Sequence, residues 1–327
     1  MAQVVVEPIS YSQAVDAGGL FVASHNLPFK YHRDLDRAKL AEYHFKKTCD
    51  ALSAEKLGLF GAMVEGRPHG VVLLEKLPWD TEVLGISCFA MRDLIVPEGP
   101  AQERITEELV RFAVEHCASE GGRLLVAKTD PSDHFGARAM GFAGFELMST
   151  LLVYGFDMRR GGVTQPKGPF RYRAFEEKDV EQLEELAGKS FTGHFDRFTI
   201  DHKIPPESAA RVHSEWVKNA CRGYADQVFV ALDGDKVIGF STWKMEKGVH
   251  AALGVRIGHY DLAAVSPEYY GKGVFKGVTA VAMEWMAGKV DVLDGPTNIM
   301  NFPVQRGWTS LGWRIVGSRY NFHRWIE

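Results

Sequence analysis

The chain repeats itself at long range, which restricts it to folds built from two similar units. Glu65-Gly66 after Val64 returns as Asp233-Gly234 after Leu232, Thr129-Asp130 as Thr297-Asn298, and Gly144-Phe145 as Gly312-Trp313. Each recurs roughly 168 residues on, and Pro97 returns as Pro267 at nearly that spacing. One such match means nothing, but four in one register imply duplication of a supersecondary unit of about 165 residues. Each copy reads as a first strand (residues 3–8; 170–175), then helix (37–52; 180–190 and 207–220), then a hairpin (57–64 with 69–76; 227–232 with 236–245). A longer strand comes next (86–96; 255–265), then a helix (102–119; 273–287), a strand, a short helix and a final strand. This order predicts an α/β (α+β) chain of two tandem domains, each a mixed, mostly antiparallel sheet flanked by helices. Residues 158–169, with Arg159-Arg160-Gly161-Gly162 and Pro166-Lys167-Gly168-Pro169, lack periodicity and read as a linker between domains at 1–157 and 170–327.

The copies differ in one segment. After the long strand the second runs Val265-Ser266-Pro267-Glu268-Tyr269-Tyr270-Gly271-Lys272-Gly273-Val274-Phe275-Lys276 straight into a helix with apolar residues at Val274, Val278, Val281, Ala282 and Trp285. Glycines let backbone N–H groups come close to a phosphate, and a helix start adds unpaired donors and partial positive charge. Lys272 and Lys276 add full charges, so this loop suits a ligand carrying a diphosphate. An ordinary glycine turn is the plainer alternative. The first copy has Pro97-Glu98-Gly99-Pro100-Ala101-Gln102-Glu103 there, with one glycine, a proline that removes a donor, and two acids. It is expected to bind no such ligand.

Composition bounds the partners. Net charge −4 gives no reason to expect nucleic acid or an anionic membrane. No apolar run reaches the roughly 20 residues of a membrane span, and the short run Val4-Val5-Val6 is followed by Glu7, which reads as a strand rather than a signal segment. Cys49, Cys88, Cys117 and Cys221 are scattered, without metal-ligand spacing, and read as reduced thiols of a cytoplasmic protein. Monomer and homodimer are both left open.

The glycine loop and the residues C-terminal to it resemble the GNAT superfamily of acyl-CoA-dependent N-acyltransferases, in tandem, the likeness being best over about 160 residues from Phe170 onward. The family's phosphate loop reads Arg/Gln-x-x-Gly-x-Gly/Ala, and here it is Tyr270-Gly271-Lys272-Gly273-Val274-Phe275. Tyr270 stands where Arg or Gln is usual, and Phe275 where Gly or Ala is usual. The family's second element, an Asn followed by a short helix and Gly-aromatic, is similar to Asn301 through Gly312-Trp313. The resemblance implies acetyl-CoA, or another acyl-CoA, as co-substrate with no metal. It implies that Ala264, Val265, Tyr270 to Lys276, Asn298 and Asn301 form its site. It also implies a leaving-thiolate acid seven residues after Asn301, where this chain has Trp308; an indole cannot serve, which leaves Tyr320, another residue, or unassisted departure. The segments Ser318-Arg319-Tyr320-Asn321-Phe322-His323-Arg324-Trp325 and Leu77-Pro78-Trp79-Asp80 are similar to the dTDP-fucosamine acetyltransferase-like branch.

Transfer from a thioester to an amine needs a proton acceptor, a donor for the developing oxyanion, and attack geometry. The resemblance puts the oxyanion donor on the strand before the loop, at the backbone N–H of Val265 or its neighbour Ala264. On that strand His259 and Asp261 lie two apart, hence on one face, and are the base candidates. A solvent-facing pair is the alternative, and Tyr260 is expected in the core. Trp308 and Trp313 are expected to be core. The stretch His194-Phe195-Asp196-Arg197-Phe198, followed by His202-Lys203-Ile204, lies where the family recognises acceptors, unless it is a lid without fixed chemistry. Arg33-Asp34 and Asp80 read as surface or capping groups.

The resulting expectation is an N-acyltransferase moving an acetyl or short acyl group to the primary amine of a small molecule, with an amino sugar on a nucleotide preferred. The alternatives are an amino acid, polyamine or protein amine as acceptor, and a non-catalytic acyl-CoA sensor.

Overall fold

Hairpin turns and crossover helices set the strand order in both halves. The computed structural model describes residues 4–162, 168–191 and 196–327; Pro166-Lys167 of the expected linker, and His194-Phe195, lie outside them. The first half carries β1 (Val5–Pro8), α1 (Ala14–Ala17), α2 (Arg37–Ser53), β2 (Gly58–Val64), β3 (Arg67–Lys76), α3 (Pro78–Leu84), β4 (Cys88–Ile95), α4 (Gln102–Ser119), β5 (Leu124–Thr129), α5 (His134–Phe142) and β6 (Glu146–Asp157). The second carries β7 (Arg171–Ala174), α6 (Val180–Ser190), α7 (Pro206–Asn219), β8 (Gln227–Asp233), β9 (Lys236–Met245), α8 (Val249–Leu253), β10 (Ile257–Val265), α9 (Val274–Met286), β11 (Val292–Asn298), α10 (Phe302–Ser310) and β12 (Arg314–Trp325). Glu65 and Gly66 both take positive φ, 50° and 76°, which closes β2 onto β3 in a two-residue turn.

The chain divides into two compact units, but not at a linker. One comprises Met1–Thr150 with Ser318–Glu327, the other Leu151–Gly317. In the first unit β1, β2, β3 and β4 pair antiparallel in turn, β5 joins β4 in parallel, and Tyr320–Trp325 of β12 pair antiparallel with β5. In the second unit β7, β8, β9 and β10 pair antiparallel in turn, β11 joins β10 in parallel, and Leu151–Asp157 of β6 pair antiparallel with β11. The two sheets share one pattern, as the sequence repeat predicts. The contiguous boundaries at 157 and 170 need correction, because each unit takes its closing strand from the other half of the sequence. The open edge of β5 and that of β11 are each satisfied by an antiparallel partner distant in sequence. Both sheets are mixed and mostly antiparallel, each with one parallel pair bridged by a helix, α4 or α9.

The second unit is layered on both faces of its sheet. Under α9, Val278, Ala282, Met283 and Met286 pack on Trp243, Tyr260, Leu293, Trp308 and Trp313. Against α6 and α7, Leu183, Leu186, Ala187 and Val217 pack on Val230, Phe240, Leu262 and Ala264. Tyr260 and Leu262 therefore face opposite sides although two apart, because the register against β9 slips between them and Asp261 is the extra residue of a β-bulge. In the first unit, Ile105, Leu109, Val110 and Ala113 of α4 pack on Val72, Leu74, Phe89 and Met91.

Candidate functional site

The second sheet opens where β10 meets the loop. β10 stays paired with β9 as far as Val265↔Gly239, but with β11 it pairs only through Ile257↔Val292, Gly258↔Leu293 and His259↔Asp294. Beyond His259 the two parallel strands part, and the β10 edge is left facing a gap. Leu262 N–H donates to Thr242 Oγ1 (3.0 Å) and Ser266 N–H to the Ile238 carbonyl (2.9 Å), both toward β9. Backbone polar groups alternate between the edges of a strand, so Ala264 N–H also faces β9, while those of Ala263 and Val265 face the gap. Of the two expected oxyanion donors, Val265 turns its N–H to the gap and Ala264 turns its own to β9, while Ala263 N–H also faces the gap.

The loop after β10 is built for close backbone approach. Gly271 and Gly273 have φ of 76° and 82°, which only glycine adopts readily, and a Cβ at either would meet nothing within 4 Å. It is the backbone conformation, not crowding, that asks for glycine. Gly273 caps α9, whose first N–H groups point out of the helix without intrahelical partners. Inside α9, Gly277 admits the Tyr172 ring from β7, whose hydroxyl would lie 2.1 Å from an added Cβ.

Gap and loop open into one groove of about 750 Å³. From the expected set, Ala264 and Val265 line it on the strand side. Tyr270, Gly271, Gly273, Val274, Phe275 and Lys276 line it from the loop and α9, and Asn298 and Asn301 from the far wall. Lys272 does not; its ammonium sits 4.6 Å over the Tyr269 ring. Asn301 caps α10 with its Oδ1, which accepts from Val304 N–H (3.4 Å). Residues not foreseen complete the wall: Arg306, Gly307 and Ser310 on α10, Met300 before it, and Ser190 and Phe191 at the end of α6. The α10 set follows Asn301 and Pro303 at helical spacing of three and four, a signal legible in the sequence.

Phe275 does not stand in the way of the loop. Its ring packs against Gly307, where a Cβ would come within 2.6 Å, and lies 6.2 Å from Trp308. Trp308 is fully buried, stacked on Trp313 at 5.3 Å, and its Nε1 has no hydrogen-bond partner among the described residues.

His259, Asp261 and Tyr320 fall outside the groove lining. At the last paired position His259 Nδ1 bonds Asp294 Oδ1, and His259 Nε2 lies 3.5 Å from Glu246 Oε1. Burial is the largest influence on this ring and disfavours its charge, but the two carboxylates together outweigh it and push its pKa up to about 10. Two carboxylates thus favour the charged ring, which has no lone pair to accept a proton, and this weighs against its expected role as base. Asp261, at the bulge, accepts from Trp216 Nε1 of α7 (2.8 Å). Beside it His213 stacks on the groove residue Phe191 at 3.9 Å, with Nε2 3.2 Å from Asp196 Oδ2. Burial raises the Asp196 carboxyl, but the histidine and backbone N–H groups more than offset it, so it titrates below its ordinary range. Arg197 lies 3.9 Å over the Phe198 ring. Tyr320 is a first-unit residue, paired with Thr129 and packed on that unit's core, so the expected acid role has no support from the groove.

Among the described residues, no group of three or more His, Cys, Asp or Glu side chains is arranged to hold a metal ion, and no helix is long and apolar enough to cross a membrane.

Neither a protein-family model nor a curated protein matches the chain. Solved structures do. A GCN5-related N-acetyltransferase from Sphaerobacter thermophilus superposes with TM-score 0.66 at 13% identity, covering 99% of this chain and 96% of that one. A tandem GNAT protein from the clavulanic acid biosynthesis pathway gives 0.61 at 14% identity, covering 99% and 98%. A fungal multi-domain β-N-acetylglucosaminidase described as containing a GCN5-related glucosamine N-acetyltransferase region gives 0.64 at 13% identity, covering 99% of this chain and 38% of that one. The fold is therefore that of tandem GNAT proteins.

Proposed function

We propose that the chain is an acyl-CoA-dependent N-acyltransferase with one active site, in the second unit, that moves an acetyl or short acyl group to a primary amine. The observation that carries this reading is the unpaired edge of β10 running directly into the Gly271–Gly273 loop within one groove. The loop and the α9 N-terminus would hold the diphosphate, with Lys276 and Arg306 supplying charge. Asn298 and Asn301 would line the thioester arm. Backbone N–H of Val265, or of Ala263, would donate to the thioester oxygen as it gains charge. The neutral amine attacks the thioester carbon; the C–N bond forms, the C–S bond breaks, the sulfur leaves as thiolate, and the amine proton passes to a base. Asp261 lies outside the groove lining but only two residues before Ala263 on the same strand, and it is the proposed base, since two carboxylates favour the charged ring of His259. With Trp308 buried and Tyr320 in the first unit, the thiolate takes its proton from water.

An amino sugar is the proposed acceptor, and a nucleotide-linked one remains the preferred form. The glucosamine N-acetyltransferase region among the structural neighbours supports the sugar, and the Phe191–His213–Trp216 rings beside Asp261 suit one. Amino acids, polyamines and protein amines are the alternative acceptors. A non-catalytic acyl-CoA sensor is favoured by the buried indole of Trp308 at the position of the usual acid. Thiol release from acetyl-CoA, measured across amino sugars free and nucleotide-linked, amino acids and polyamines, tests the whole. Turnover on one class selects it. CoA binding without turnover on any amine supports the sensor, and absence of CoA binding ends the reading.

A further inference from the structure

Where β10 leaves β11, its edge presents carbonyls as well as N–H groups to the gap. The Val265 carbonyl points the same way as the Val265 N–H. It does not wait for β11 or for water: Ser190 Oγ, on the last residue of α6, donates to it at 3.3 Å. Ser190 and Val265 both line the groove. A serine hydroxyl has one proton and two lone pairs. The proton goes to Val265, and the lone pairs remain for a ligand that enters.

We propose that Ser190 is a binding residue for the thioester arm of the acyl-CoA. The inference rests on the acyl-CoA reading above and extends it to a residue on a separate helix. Ser190 removes the Val265 carbonyl as a ligand contact and replaces it with its own Oγ, which accepts an amide N–H of the arm. The edge then offers its N–H groups to ligand carbonyls, while ligand N–H groups are met from α6. The amide-bearing arm is thereby held between two elements rather than paired along one strand.

Two ligands separate this contact from a merely structural one. CoA carries the arm and the diphosphate, whereas ADP carries only the diphosphate end. In equilibrium titrations Ser190→Ala is expected to weaken CoA by about 3- to 10-fold, the range of one hydrogen bond. ADP affinity and the melting temperature should stay at wild-type values, and Ser190→Thr should recover most of the loss. Equal weakening of CoA and ADP would mean that Ser190 only orders the strand, and an unchanged CoA affinity would mean no contact; either result overturns the inference. Failure of the wild-type chain to bind CoA would instead remove the functional reading on which it rests.

Discussion

The two units part their parallel strands at the same place and treat the gap in opposite ways. In the first, β4 and β5 pair from Cys88↔Leu124 through Met91↔Ala127 and then separate. Asp93, the first residue past the bulge of β4 as Leu262 is past that of β10, is 1% exposed there. It accepts from Ser24 Oγ (2.6 Å) and Asn26 Nδ2 (3.0 Å) and pairs with His44 Nε2 (2.8 Å). Asn26 also accepts from Asp130 N–H (3.1 Å) just past β5, so one side chain bridges the strands as they part. In the second unit Asp261 is bonded by Trp216, and the gap opens into a groove. The same sheet pattern therefore does not make a ligand site by itself. The deciding features are whether the chain's own polar groups occupy the gap, and whether two glycines or a Pro-Glu pair comes after the strand.

The largest test removes one aspartate from each unit. Asp93→Ala leaves the buried Ser24 and the half-buried Asn26 and His44 without their acceptor and is expected to cost about 3 kcal/mol in denaturant unfolding. Asp261→Ala should change stability by less than about 1 kcal/mol but lower turnover by on the order of 100-fold, the scale of a lost general base. If Asp261→Ala leaves turnover intact, the base assignment is wrong; if Asp93→Ala is silent, the first gap is not held by that network.

A second test compares the loops. Val at 271 or 273 would be forced into left-handed φ, a strain of about 1–2 kcal/mol per residue, so Gly271→Val or Gly273→Val should raise the CoA dissociation constant by about 10-fold. Gly99→Val, in the first unit, should leave CoA affinity unchanged, and calorimetric titration should give one CoA per chain. Two equivalents per chain would break the comparison outright.

The smallest effect lies in pH. His259 has a folded-state pKa of about 10, above its ordinary 6.5. Its contribution to stability is thus fully present below about pH 6.5 and lost as pH rises through 10. Urea unfolding should show the wild type losing stability across that window relative to His259→Gln; parallel curves would show that Asp294 and Glu246 do not hold the charge.

Local chemistry made much of this visible in the sequence. The Glu65-Gly66 turn, the α9 stripe from Val274 to Met286 and the loop glycines each arise from rules acting over a few residues. Other features depend on distant partners. The charge on His259 is set by Asp294 and Glu246. The reversal of facing between Tyr260 and Leu262 comes from a bulge that alternation cannot reveal. Ser190 has no meaning until the end of α6 is seen beside Val265, and Asn26 lies in a segment with no period at all.

The exchange of closing strands has a consequence in time. As a ribosome releases the chain, β5 emerges early, but its antiparallel neighbour, Tyr320–Trp325, arrives only after the whole second unit has been made. Through that interval the first sheet carries an unpaired edge, the kind of surface that recruits stray strands. The half without the glycine loop is therefore completed last, and removing residues 318–327 would injure the part of the molecule that was synthesised first.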